Sequence, residues 1–233
     1  MVSSMSDEIV IYGASGHARA LASMARRGVV PPLARRIAAF IDDFAGGKGA
    51  MLDGASIITF EQWRAEWPAV PCLLSMSSPA AKARLRSKVE AAGGRFADIY
   101  ADRPPGLFEL VSIGVGSFVF EQTYIATSST IGAHTQIMPL CSIGHDVAIG
   151  DYCTLCPSCT ISGYVVIEDG AFIGAGSTIV EGSESVPLRI GRGAKIWAGS
   201  VVTKSVSSGT IVGGNPAVPL RELVQRRRAA AAA

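Results

Sequence analysis

The sequence predicts an α/β N-terminal domain, a Rossmann-like half with a small parallel sheet, followed by a left-handed parallel β-helix of hexapeptide repeats. Two observations predict this architecture. Before residue 103, short apolar runs alternate with helical runs, as they do where helices connect parallel strands. After it, branched aliphatic residues recur at every sixth position, which matches neither the helical period of about 3.6 nor the strand period of about 2. The expected domains are therefore residues 1–103 and 104–233.

The N-terminal elements alternate in type along the chain. Apolar runs bounded by turn residues predict strands, and amphipathic runs that stop at glycine or proline predict helices. The expected strands are 8–12, 36–42, 71–76 and 95–100, and the expected helices are 17–28, 61–67 and 79–94. The segment 101–106 contains two prolines and is expected to link the two domains.

The six-residue period defines the second domain. It starts at Ile113 and runs through twelve successive positions to Ile179. The residue two places before each aliphatic is small, so both are expected to point inward. Three six-residue faces make one coil, and the run is long enough for about five coils. The step from Ile179 to Ile190 is eleven residues rather than six, so five residues of 180–189 must leave the coil as a loop.

Composition argues against two classes of function. The formal net charge of the 233 residues is only +2, and the one dense basic run, 226–228, fits a solvated helix end rather than a nucleic-acid site. Every apolar stretch is interrupted well short of the ~18 residues that a membrane-spanning helix needs. The N-terminus lacks a cationic-then-apolar signal. We expect a cytoplasmic protein with no membrane span and no nucleic-acid partner.

The cysteines raise the question of a metal. Cys153, Cys156 and Cys159 have the spacing C-x2-C-x2-C, which occurs in metal and iron–sulfur sites. The six-residue frame instead puts Cys141, Cys153 and Cys159 at the small inward position, where a free thiol acts as a small apolar side chain. The three histidines are His17, His134 and His145, and the first lies in the other domain, so a zinc site of three histidines is not supported. We predict packing thiols and no metal.

His145 and Asp146 leave two interpretations open. They follow Ile143 and Gly144 at a predicted coil corner, where the histidine should be exposed. A lone corner histidine is commonly just solvated. Alternatively, it is a general base whose tautomer is fixed by the neighbouring acid. Because adjacent strand residues point in opposite directions, the second interpretation requires the corner to twist the two side chains together.

The stretch GASGH, at residues 13–17, also allows several interpretations. Gly13, Gly16 and the helix that begins near His17 form a strand-to-helix turn whose N–H groups suit a phosphate. A tight turn without a ligand is one rival. An NAD site is another, because Asp42 lies near the distance at which an acid would hold a ribose. A domain of about 100 residues supplies only one mononucleotide-binding half, which favours a UDP-type ligand over a dinucleotide.

Four motifs together resemble one family. They are IVIYGASGHARAL, AFIDDF, SIGHDVAIGDYCTLCPSCTISGYVVIEDGAFIGAGS and the closing VGGNPAVPLR. In this order they resemble the bacterial sugar acyltransferases of the sialic acid O-acetyltransferase type, particularly the UDP-4-amino-sugar N-acetyltransferases of glycan biosynthesis. The resemblance implies acetyl transfer from acetyl-CoA to a nucleotide-linked amino sugar. It further implies a homotrimer with CoA in the groove between neighbouring β-helices.

The resemblance also implies roles for individual residues. His145 would be the general base, Asp146 its acidic partner, and Gly163 the donor of a backbone N–H to the thioester oxygen. The residues implied in acetyl-CoA binding are Thr154, Gly174, Ala198, Gly199, Lys204 and Pro216. Those implied in substrate binding are Gly13, Ser15, Gly16, His17, Asp42, Asp43 and Met138.

Two departures from the family pattern leave the acceptor open. Met138 stands where family members often have asparagine, and Thr154 stands where the nearest relatives have a second histidine. The resemblance implies N-acetylation, with O-acetylation of a sugar hydroxyl as the alternative. A non-catalytic trimeric nucleotide-binding scaffold is the rival from another class.

Overall fold

The computed structural model describes residues 8–27, 36–100 and 110–231, which form two compact units. One comprises Met1–Arg103 and Val115–Ser117, and the other comprises Pro104–Gly114 and Phe118–Ala233. The first is an α/β fold and the second is a left-handed parallel β-helix, which confirms the predicted fold class. Within the described ranges, no helix combines the length and the apolar character needed to span a bilayer.

The first unit is a sheet with helices. Its elements in chain order are β1 (Glu8–Tyr12), α1 (Gly16–Arg27), β2 (Arg36–Ile41), β3 (Met51–Leu52), β4 (Ala55–Ile58), α2 (Phe60–Glu66), β5 (Cys72–Leu74) and α3 (Pro79–Ala91). The strand order is β3-β4-β2-β1-β5, with β3 antiparallel to β4 and the other pairs parallel. Ile9, Val10 and Ile11 of β1 are fully buried, as expected of a strand covered on both faces.

Two features of this unit differ from the prediction. The strand expected at 95–100 is wrong: Phe96 makes one isolated bridge to Cys72, and Asp98 then accepts the Tyr100 N–H in a turn that ends the pairing. The β3–β4 hairpin was not predicted. Its turn is Asp53-Gly54, and both residues have positive φ, as tight hairpins require. The predicted end of α1 at Gly28 lies outside the described residues.

The second unit consists of short strands that follow one another around a coil. They are β6 (Ser112–Ile113), β7 (Phe118–Val119), β8 (Tyr124–Ile125), β9 (Thr130–Ile131), β10 (Gln136–Ile137), β11 (Ser142–Ile143), β12 (Ala148–Ile149), β13 (Thr154–Leu155), β14 (Thr160–Ile161), β15 (Val165–Ile167), β16 (Phe172–Ile173), β17 (Thr178–Ile179), β18 (Leu188–Ile190), β19 (Lys195–Ile196), β20 (Val201–Val202), β21 (Ile211–Gly213) and β22 (Val218–Pro219), followed by the helix α4 (Leu220–Ala231). Each aliphatic of the six-residue period ends a strand, which confirms the predicted frame.

These strands form three parallel sheets, here called faces A, B and C. Face A contains β7, β10, β13, β16, β19 and β21, with β22 antiparallel at its end; face B contains β8, β11, β14, β17 and β20; face C contains β6, β9, β12, β15 and β18. The chain visits the faces in the order A, B, C. It therefore makes AB, BC and CA corners, and residues 18 apart stack, as Ile143 does on Ile161.

The corners use the left-handed backbone region. The residue three places after an inward aliphatic has positive φ even where it is not glycine, a conformation that L-residues rarely adopt. The non-glycine residues of this set are Gln122, Ser128, His134, Leu140, Asp146, Tyr152, Ser158 and Tyr164. This regular twist turns the chain from one face to the next, and it controls where corner side chains point.

One coil carries the predicted insertion. Ile190 pairs with Ile167, a separation of 23 residues where the preceding coils have 18. The five extra residues, 183–187 (the SESVP loop), leave after Gly182 and return at Leu188. Ser183 and Val186 exchange two backbone hydrogen bonds of 3.1 Å, which close the loop on itself. The loop thus projects from the BC corner without interrupting the strand ladder.

Deletion of residues 183–187 should therefore leave the β-helix folded. Gly182 would join Leu188 as Tyr164 joins Val165 one coil below, and the Gly182 N–H to Gly163 O bond of 3.1 Å would remain. We expect a melting temperature within about 4 °C of the wild type, a loss of ~1 kcal/mol or less. The control is deletion of 168–172, five residues of an uninterrupted coil, which should abolish folding. Circular dichroism distinguishes the two, and unfolding by the first deletion would contradict the assignment.

Candidate active site

His145 and Asp146 lie together at the BC corner that follows β11. His145 Nδ1 and Asp146 Oδ2 are 2.7 Å apart, and both side chains are about half exposed. Asp146 has φ of 54°, and this left-handed turn brings the two neighbouring side chains to the same side. The geometric condition for an oriented histidine is therefore met. With the proton on Nδ1 and bonded to the carboxylate, Nε2 is left with a free lone pair.

Gly163 lies one coil above His145 and faces its imidazole. A Cβ at position 163 would be 2.9 Å from both Nε2 and Cε1 of His145, so only glycine leaves room for the ring. The Gly163 N–H has no hydrogen-bond acceptor among the residues that the structure describes. Corresponding N–H groups at the CA corner are bonded: Ala133 donates to Asp151 at 2.8 Å, and Asp151 to Asp169 at 3.0 Å. The BC corner thus places a backbone N–H donor near an imidazole that is held by a carboxylate.

Tyr164 is a neighbour that the sequence did not single out. Its ring is edge-on to the imidazole, with centroids 5.1 Å apart and an interplanar angle of 88°. Its backbone N–H donates to the His145 carbonyl at 3.2 Å. The six-residue frame could have predicted this contact, because Tyr164 follows His145 by one coil of 18 residues and one further residue. Tyr164 therefore forms one wall of the BC corner.

The residues implied in acetyl-CoA binding fall in other places. Gly174, Ala198, Gly199 and Pro216 lie at the AB corner, as does Met138 from the substrate set. Thr154 is buried in β13 on face A, and Lys204 is exposed at the BC corner above Gly163. One chain therefore brings His145, Asp146, Gly163 and Lys204 to one corner, whereas four of the six residues implied in acetyl-CoA binding lie at a different one.

The cysteines follow the hydroxyl residues at the inward positions. Ser129 and Thr135 donate to carbonyls fifteen residues later, at 2.9 and 2.8 Å. Cys141, Cys153 and Cys159 make the equivalent contacts, to the carbonyls of Cys156, Glu168 and Gly174 at 3.3, 3.2 and 3.3 Å. All five cysteines are free thiols. Among the described residues, no His, Cys, Asp and Glu side chains group in threes to hold a metal.

Burial and hydrogen bonding affect these thiols. The hydrogen bond to Cys141 and burial both raise the pKa of Cys159. Burial likewise raises the pKa of Cys72 and Cys156. A raised pKa keeps a thiol protonated and unreactive.

His134, the third histidine, is buried and stacks on Tyr152 with ring centroids 5.5 Å apart.

In the first unit, the GASGH turn connects β1 to α1. Gly13 has φ of 112°, and a Cβ there would lie 2.5 Å from Ser75 Oγ, so glycine is required. Ser75 in turn donates to the Tyr12 carbonyl at 3.0 Å, which fixes the end of β1. Ser15 is exposed, and α1 begins at Gly16, so the turn presents the first helical N–H groups together with His17. This arrangement is compatible with a phosphate.

A cavity of about 480 Å³ opens beside this turn. Its lining consists of Tyr12, Gly13, Ile41, Asp42, Asp43, Phe44, Met76, Ala81, Arg84, Leu85 and Lys88. Sites for small ligands have volumes of this order, roughly 300–1,000 Å³. The cavity therefore brings together Gly13, Asp42 and Asp43 of the predicted substrate set, and it adds two cations that the sequence did not single out.

The acidic pair is bonded within the chain. Asp43 Oδ2 accepts from Tyr12 Oη at 2.8 Å and from Lys88 Nζ at 2.7 Å, while Oδ1 accepts the Phe60 N–H at 2.9 Å. Burial alone would raise the pKa of Asp43, but these hydrogen bonds outweigh it and hold the pKa below its ordinary value. Asp42 Oδ1 accepts the N–H groups of Phe44 and Ala45. Asp43 thus positions Lys88 in the cavity wall.

Comparison with known proteins places the β-helix in a recognised class. The family model for bacterial transferase hexapeptide (six repeats) matches residues 128–163, which include the BC corner. GDP-perosamine N-acetyltransferase of Escherichia coli O157:H7 is 43% identical over 111 residues, or 48% of this chain and 50% of that protein. The chain therefore spans about half the length of this curated relative.

Solved structures match over nearly the whole chain. WeeI from Acinetobacter baumannii AYE is 30% identical, with a TM-score of 0.78, covering 91% of this chain and 100% of that one. PerB from Caulobacter crescentus, solved in complex with CoA and GDP-perosamine, has a TM-score of 0.76 at 21% identity, covering 91% and 96% of the two chains. At this identity, PerB and this chain are similar in fold.

Proposed function

This chain belongs to the bacterial transferase hexapeptide family, and on that premise we propose that it transfers acetyl from acetyl-CoA to the amine of a nucleotide-linked amino sugar. The observation that carries the proposal is the BC corner, where an acid-oriented imidazole lies against the Gly163 backbone, whose N–H has no acceptor among the described residues. The E. coli relative named as a GDP-perosamine N-acetyltransferase supports a nucleotide-sugar acceptor. The expected place in metabolism is bacterial glycan biosynthesis.

In this proposal, His145 acts as the general base. Asp146 holds the proton on Nδ1, so the lone pair of Nε2 accepts the proton of the attacking amine. The nitrogen bonds to the thioester carbonyl carbon, and the Gly163 N–H stabilises the oxyanion that forms. The C–S bond then breaks, and His145 returns the proton to the departing CoA sulfur. No covalent intermediate on the enzyme is needed.

The nucleotide is tested by substrate choice. A thioester-cleavage assay should compare UDP- and GDP-linked amino sugars with the matching hydroxyl sugars at equal concentration. Our proposal expects acyl transfer to an amine. UDP is the nucleotide predicted from the half-sized N-terminal sheet, and GDP is the nucleotide in the name of the E. coli relative. Transfer to a hydroxyl alone would support O-acetylation. Absence of cleavage with every acceptor in a folded protein would favour the non-catalytic scaffold.

We propose a homotrimer, because one chain does not assemble the site. The BC corner holds the proposed base, whereas the AB corner holds most residues implied in acetyl-CoA binding. A cyclic trimer can place the BC corner of one subunit against the AB corner of the next. The proposed location is the cytoplasm, where acetyl-CoA and nucleotide sugars are made.

Subunit mixing tests the shared site. His145→Ala damages the BC corner, and Ala198→Trp fills the exposed AB corner, so each variant alone should be nearly inactive. In randomly mixed trimers, about a quarter of the interfaces join an intact BC corner to an intact AB corner and should turn over. Coexpressed, differently tagged chains allow mixed trimers to be isolated and assayed. No recovery in mixed trimers, or a stable monomer by light scattering, would refute the arrangement.

A further inference from the structure

Phe44 stands out at the rim of the N-terminal cavity. Its side chain is 90% exposed, although it is large and apolar. Its backbone is held firmly: the Phe44 N–H donates to Asp42 Oδ1 at 2.9 Å, and the Phe44 carbonyl accepts from Lys48 Nζ at 3.1 Å. The ring is therefore presented at the cavity mouth by an ordered turn while it packs little against the protein.

The lining of the cavity also includes two cationic side chains, Lys88 and Arg84. Lys88 Nζ bonds to Asp43 Oδ2 and Tyr12 Oη, at 2.7 and 2.9 Å, and lies 4.1 Å from the centroid of the Phe60 ring. Arg84 lines the same cavity. These contacts fix one ammonium in the wall and leave a guanidinium beside it. The cavity thus combines an exposed aromatic ring with two cations, of which Lys88 is paired with Asp43.

We propose that Phe44 stacks on the nucleobase of the acceptor and is a binding determinant for the nucleotide. A base has a flat π-face that stacks on an aromatic ring whatever its hydrogen-bonding edge, while cations complement its phosphates. The inference rests on the proposed nucleotide-linked acceptor and names a residue that recognises it. Because Phe44 contributes little packing, its removal should affect binding without affecting folding.

Calorimetry with UDP and GDP on the intact protein tests this directly, without acetyl transfer. Phe44→Ala should weaken binding of the preferred nucleotide by about tenfold or more, the range expected for loss of one stacked base. Phe44→Trp should retain the wild-type affinity or improve it. The matched control is Met51→Ala in β3, another exposed apolar side chain of the same unit (58% exposed), which should change neither affinity nor melting temperature.

Two outcomes would overturn the inference and are distinguishable. If the wild type binds a nucleotide and Phe44→Ala binds it equally well, the stacking role is wrong while the proposed function stands. If the folded wild type binds neither UDP nor GDP, the nucleotide-linked acceptor fails and the role of Phe44 fails with it. An unchanged melting temperature in Phe44→Ala ensures that a weaker affinity reports on binding.

Discussion

Replacing His145 with alanine should lower kcat for acetyl transfer by about 10²–10⁴-fold, the usual contribution of a positioned general base. The reason is geometric: Nδ1 is engaged by Asp146 at 2.7 Å, and Nε2 faces the Gly163 backbone where the thioester carbonyl is proposed to bind. The KM for acetyl-CoA should change little, because the base acts mainly in the transition state. Steady-state kinetics on the acceptor identified by the substrate screen measures both constants.

Two variants make this result specific. Asp146→Asn should keep the fold but cost less, because the imidazole remains as a weaker and less firmly oriented base. Cys153→Ser is the control, since a hydroxyl can make the contact to the Glu168 carbonyl that the thiol makes at 3.2 Å. Its turnover should match the wild type. Wild-type kcat in His145→Ala, or loss of activity in folded Cys153→Ser, would disprove the mechanism.

The β-helix could be predicted almost to the residue because its packing repeats. Each face of every coil buries an aliphatic and a small side chain at fixed positions, so the period appears in the sequence wherever the interior is continuous. The pairing of Ile167 with Ile190 was likewise predictable from one irregular step. The α/β unit was less predictable at its edge. The Asp53-Gly54 hairpin signal was present, but the flanking strands are too short to show an alternation.

The sequence singled out residues of the proposed site but did not predict how they contact one another. The motif SIGHD and its place in the six-residue frame singled out His145 and Asp146. The contact between their side chains, however, depends on the positive φ of Asp146, which a non-glycine residue rarely adopts. Nothing in the sequence shows that Asp43 is bonded to Tyr12, Lys88 and Phe60, because those partners come from separate elements. The role of Asp43 in orienting Lys88 therefore emerged only from the tertiary structure.

Gly163→Ala should be almost as damaging as loss of the base itself. The new Cβ would lie 2.9 Å from Nε2 and Cε1 of His145, closer than side-chain atoms tolerate, so the imidazole must move. A displacement of about 1 Å in a catalytic group can cost about 10²-fold in rate, and we expect kcat to fall by at least that factor. Asp146 would then hold the ring in an unproductive position, or the 2.7 Å contact would break.

Gly150→Ala separates this effect from simple crowding. A Cβ at position 150 would be 2.2 Å from Asp169 Oδ1, a closer approach than at Gly163, but at the CA corner. We therefore expect Gly150→Ala to lose stability and yet to keep wild-type kcat per folded trimer, whereas Gly163→Ala should lose kcat with a modest change in melting temperature. A wild-type kcat in both variants would show that the close contact between Gly163 and His145 has no part in catalysis. A loss of kcat in Gly163→Ala alone would mean that glycine is needed at this corner because the His145 imidazole occupies the space that a side chain would fill.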